Sequence, residues 1–106
     1  MVKNQYLDVN FDNQWIILYD HVTGNEEIIN WEDLQTVIVE TTDGGPYLPD
    51  VYWILIGDHG GCMIPQGING EEALAERLQA LPGFNHSALI DAMSSVSNQR
   101  FLCWQH

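Results

Sequence analysis

The sequence predicts an α+β domain: a mainly antiparallel, strongly curved sheet or partial barrel of about six or seven strands, with two short helices near the C-terminus. Three observations lead there. Strand-like runs succeed one another from Tyr6 to Pro65, separated by turn residues. Helical periodicity is confined to Asn69–Met93. A final apolar run, Phe101-Leu102-Cys103-Trp104, follows the helices. Strands first and helices afterwards is the order of an α+β domain rather than of a parallel α/β fold.

Tyr6–Phe11 alternates, with Leu7, Val9 and Phe11 on one side and Tyr6, Asp8 and Asn10 on the other. That is the period of a half-buried strand. Asp12-Asn13-Gln14 makes a turn into Trp15–Tyr19, a more buried strand. Gly24 can take the left-handed position in the next loop, so Trp15–Tyr19 and Glu26–Trp31 should form a hairpin. Asn30-Trp31-Glu32-Asp33-Leu34 reads as one helical turn capped by Asn30, with Asp33 placed to answer the cap. Thr36–Thr42 is a strand, and residues 43–50 are a loop rich in Gly and Pro. Val51–Ile56 is apolar on both faces and should be the central strand, covered on each side. Gly57, Gly60 and Gly61 suit a tight reversal into Cys62–Pro65. Asn69 with Glu72 resembles a helix cap, and Leu74, Leu78 and Leu81 line one helical face up to Pro82-Gly83. Asn85 can cap a second helix, with Phe84 and Leu89 at staple spacing and Leu89, Ile90 and Met93 as its buried stripe. Phe101–Trp104 should return to the sheet.

In its preferred version the curved sheet is closed at one end by the helices and resembles a pleckstrin-homology-like (PH-like) fold. An open sheet with helices on one face is the alternative. Seven segments recur as a pattern: Ile29–Leu34, Thr41–Pro46, Asp50–Trp53, Cys62–Pro65, Leu78–Phe84, Ala92-Met93 and Phe101–Trp104. Together they resemble a group of short bacterial proteins of uncharacterised function. The resemblance implies a bacterial origin and assigns no activity or catalytic residue.

The 106 residues suit one domain, 1–106, with one core. No apolar run approaches the ~20 residues that span a bilayer. Met1–Gln5 has no apolar signal core, and two cysteines suit a reducing compartment, so cytoplasmic residence is expected.

Charge is the most unusual property. Fifteen acidic residues face three basic ones, for a net charge of −12. No Lys or Arg stands between Lys3 and Arg77, and 11 of the 15 acids lie in residues 1–58. Such a field repels nucleic acid and anionic lipid and attracts a basic partner. The competing explanation is solubility alone.

Candidate chemistry is sparse. His59-Gly60-Gly61-Cys62 and Cys103-Trp104-Gln105-His106 have zinc-like spacing. Against a zinc site, both cysteines sit in apolar runs, and strand residues three apart point to opposite faces. A Cys62–Cys103 disulfide requires their strands to meet. A nucleophilic Cys62 beside His59 or His21, oriented by Asp58, has no nucleophile elbow or oxyanion motif to support it. Neither a phosphate-cradling Gly loop nor a basic patch is present. No metal, cofactor or catalytic residue is expected. Tyr47 and Leu48, apolar on an acid-flanked loop, suit an interface anchor or a fold-back onto the sheet.

Three functions follow as expectations. The first is a non-catalytic protein that masks a basic partner through Asp20, Glu26, Glu27, Asp43, Tyr47, Leu48, Asp50 and Asp58. Its most concrete form is an immunity protein for a bacterial toxin, for example a nuclease whose positive groove carboxylates would cover. The second is a small metal or thiol protein using Cys62, Cys103 and His59. The third is a homodimer or accessory domain that associates through Tyr47-Leu48.

Overall fold

The computed structural model describes residues 6–43 and 50–106. Among them are strands β1 (Leu7–Phe11), β2 (Trp15–Asp20), β3 (Glu26–Asn30), β4 (Leu34–Thr41), β5 (Val51–Gly57), β6 (Gly60–Pro65) and β7 (Gln99–Gln105). Helices α1 (Glu71–Gln79) and α2 (His86–Met93) lie between β6 and β7. The class is α+β, and the paired strands are antiparallel. None of the helices is long and apolar enough to cross a membrane.

The expected single curved sheet is corrected. The strands divide into two sheets, β1-β2-β3 and β6-β5-β4-β7, and no barrel closes among the described residues. The reason lies at the junction between β3 and β4. Trp31–Asp33 forms a 3₁₀ turn; the Asn30 side chain accepts the Glu32 N–H at 2.8 Å, and the Leu34 N–H donates to the Trp31 carbonyl. A tight helical turn, in place of a hairpin, swings β4 away from β3 and into pairing with β5 and β7. The free edge of β3 then lies beside β6 without joining its ladder.

Alternation sets the core. Val9, Ile16, Leu18 and Ile29 point inward from the first sheet, and Val37, Val39, Trp53, Leu55 and Ile64 from the second. Leu74 and Leu78 of α1 are fully buried against them, as the leucine spacing predicts. In α2 the expected stripe holds only at Leu89, which packs against the core with Ala88 and the buried Ala92, while Ile90 and Met93 are exposed. The face turned to β7 and β4 is set by Ala88, Leu89 and Ala92. The central strand also needs correction. β5 is internal in its sheet, but Val51, Trp53 and Leu55 alone are buried, and Ile56 is 41% exposed. Its second face has no cover among the described residues.

The start of α1 departs from the expected Asn69 cap. The cap position is Gly70, at φ 88°, with no side-chain cap bond. Asn69 is engaged elsewhere: its carbonyl accepts the Val9 N–H at 2.9 Å, tying the approach to α1 onto β1. A Cβ on Gly70 would fall 2.0 Å from the Val9 carbonyl oxygen. At the next residue, the buried Glu71 carboxylate accepts the Trp53 indole N–H at 2.9 Å and the Gly67 N–H at 3.1 Å, which fixes the helix to β5. Gly70→Ala should therefore destabilise the protein by about 2 kcal/mol or more, through both the left-handed backbone and the clash. Urea unfolding measures it, and a change within experimental scatter would contradict this account.

Candidate functional site

The structure separates the predicted metal and thiol residues. Cys62 is on β6 and Cys103 on β7, the opposite edges of the four-stranded sheet. Three strand spacings put them about 14 Å apart, twice the reach of a disulfide. His59 sits on the β5–β6 turn with its Nδ1 3.4 Å from an Asp33 carboxylate oxygen, and His106 follows β7, so each His–Cys pair stays at its own edge. No group of three or more metal-binding side chains forms among the described residues. Both thiols are free and buried. Burial pushes the Cys62 thiol up to about 12, with the nearby Glu27 carboxylate adding to the effect, and burial also raises Cys103. A thiol held protonated is the opposite of an activated nucleophile. Among the described residues Cys62, Cys103 and His59 are therefore not brought together in one site.

The predicted binding carboxylates form three groups rather than one patch. Asp20, Glu26 and Glu27 share the β2–β3 hairpin, in register with Leu7, Tyr19 and Leu18 respectively. Asp20 is partly committed, since its Oδ1 accepts the Val22 and Thr23 N–H groups and shapes the loop. With Asn25, Leu7 and Leu18, Asp20 and Glu27 line a cleft of about 220 Å³. Its aliphatic floor and two carboxylates match the stem and head of a Lys or Arg side chain. Asp43 and Asp50 stand at the β4–β5 end of the second sheet, where the Thr42 N–H donates to the Asp50 carbonyl at 2.8 Å. Asp58 is on the β5–β6 turn, at the far end of the seven-residue β5 and so about 20 Å away. Tyr47 and Leu48 lie outside the described residues.

Both described Lys/Arg side chains, Arg77 and Arg100, are engaged. Arg77 lies over the Trp31 ring, 4.7 Å from its centroid. Arg100 Nε is 2.8 Å from Glu40 Oε1. His21 pairs with Asp8 and stacks edge-on against Tyr19. Among the described residues no Lys or Arg pairs with Asp20, Glu26, Glu27, Asp43, Asp50 or Asp58.

One further surface was missed in the sequence. Met63 pairs with Ile54, Ile54 with Ile38 and Ile38 with Leu102, placing four apolar side chains in one row across the outer face of the second sheet. The signal in the sequence is the two-sided apolar character of Val51–Ile56, which fits an exposed apolar face as well as cover on both sides.

Comparison with protein-family models, curated proteins and solved structures found no match.

Two expected outcomes follow. Ellman's reagent at pH 8 should leave Cys62 and Cys103 unmodified in the folded protein and titrate both after denaturation; prompt reaction of either would refute the burial argument. The His21 hydrogen bond, followed by that of the Asn69 side chain, lowers the Asp8 carboxyl below its ordinary value. A depressed carboxyl stabilises the fold above its unfolded value, about pH 4, and loses that contribution as pH falls through the folded value. Asp8→Asn should therefore narrow the gap in urea midpoint between pH 6 and pH 3, and an unchanged gap would contradict the assignment.

Proposed function

We propose that this chain is a non-catalytic binding protein that masks a basic protein partner. Its most concrete form is a bacterial, cytoplasmic immunity protein that neutralises a toxin, with a nuclease as the target class whose phosphate-binding groove carboxylates would fill. One observation carries the reading. Arg77 and Arg100 are committed to internal pairings, while among the described residues no Lys or Arg pairs with Asp20, Glu26, Glu27, Asp43, Asp50 or Asp58. Their field is therefore directed at whatever approaches from outside. The Asp20–Glu27 cleft supports the same reading, because it has the shape and charge to take a basic side chain.

The mechanism is capture followed by occlusion. An excess of carboxylates steers a positively charged partner and raises the association rate above that of an uncharged pair. Carboxylates then occupy positions that phosphates would otherwise take. No covalent step is involved, and the buried thiols have no part in it.

The test begins with the gene immediately upstream. A secreted protein with a basic, toxin-like C-terminal region should be encoded there, and this chain should inhibit it. Stopped-flow association between the two should slow several-fold as NaCl rises from about 0.05 to 0.3 M, because the screening length shrinks over that range. An association rate indifferent to salt rejects the reading.

A further inference from the structure

We infer that the outer face of the four-stranded sheet is the docking surface, and that its occupant is a protein surface with an apolar centre and a basic rim. The inference rests on the basic-partner reading above and adds the place and the chemistry of contact.

The centre is the row Met63, Ile54, Ile38, Leu102. Its neighbours along the strands, among them Cys62, Leu55, Val37 and Cys103, are buried on the core side, so the row points away from the core. Met63 is 42% and Leu102 49% exposed. Ile38 and Ile54 are half-buried between them and stand outside the core cluster. On one side of the row lies Ile56, and on the other Tyr52. The charges in these rows, Glu40 and Arg100, are joined to each other and cancel. An antiparallel sheet with one solvated face normally turns polar side chains outward. A contiguous apolar row on such a face is the mark of an interaction site.

Area and charge choose the occupant. Strand spacing and rise give the row with Ile56 and Tyr52 roughly 200 Å². A stable interface needs about 800 Å² from each partner, so the rim must supply the rest. That rim is acidic at both ends: Asp58 on the β5–β6 turn, and Asp43 and Asp50 at the β4–β5 end, all three exposed. A second copy of this chain would set like charges against each other on two molecules of net charge −12 each. A partner whose apolar patch is edged by Lys and Arg satisfies centre and rim together.

Two synthetic helical peptides test this. One carries leucines along one face, flanked by lysines; in the other, serines replace the leucines at the same charge. The leucine–lysine peptide should bind, and the double variant Met63→Ser/Leu102→Ser should weaken it about tenfold or more. The serine–lysine peptide should bind more weakly and be indifferent to the double variant. Thermal unfolding guards against a folding defect; if the double variant melts early, the single variant Leu102→Thr takes its place. Glu76→Gln, an exposed charge on α1 outside both surfaces, is the control and should leave the leucine–lysine peptide nearly unaffected, while Glu27→Gln reads the cleft. If both peptides bind alike and only Glu27→Gln weakens them, the surface is overturned and the basic-partner reading stands. If neither peptide binds, both fall. A wild-type dimer in light scattering that the double variant dissolves makes a second copy the occupant and overturns the inference.

Discussion

The structure turns on Trp31. Its backbone N–H donates to the Gln14 carbonyl at 2.9 Å, and its indole N–H donates to the Asp12 carbonyl at 2.7 Å. Phe11 meets its ring edge-on, and the Arg77 guanidinium lies over its face. Two residues on, the Asp33 carbonyl accepts the Asp58 N–H at 3.0 Å. One short turn thus holds the β1–β2 turn, helix α1 and the β5–β6 turn in fixed relation. Without that junction the two sheets would share only side-chain packing. With it, the second sheet presents one face to the core and the other to solvent.

The succession of strands along the chain and both helices could be read from the sequence because alternation and capping are local. Leu7, Val9 and Phe11 announced their face, and Asn85 does accept the Ala88 N–H as its position suggests. Three things were not legible, each for a physical reason. The split into two sheets depends on where a 3₁₀ turn sends the chain, and Asn30–Leu34 alone does not state that direction. Asn69 matched a cap in type, but pairing with β1 claimed its backbone and forced Gly70 into the capping place. Ile54 and Ile56 have the composition of buried residues, and only the tertiary arrangement shows that they face away from the core, Ile54 half-buried and Ile56 exposed.

The candidate site divides in the same way. Acidic character was plain from composition, since net charge needs no geometry. The distribution of that charge was not. Asp43 and Asp58, expected to act together, are separated by the length of β5, and what lies between them is an apolar row. Spacing alone likewise suggested that the cysteines could converge, whereas strand order holds them on opposite edges. Long-range pairing decides such questions, and a single sequence carries little of it.

The pairing of β4 with β7 has a consequence for how the molecule is made. Thr41 meets Gln99 across the ladder, so β4 must wait for a strand that is synthesised nearly sixty residues later. Until then its backbone donors and acceptors are open along one side, beside a hairpin already competent to form with β5. A nascent chain stalled before Gln99 would therefore offer a bare, apolar strand edge to its neighbours on the polysome. Once β7 is in place the open edge passes from β4 to a strand that begins and ends on polar residues, Gln99, Arg100 and Gln105.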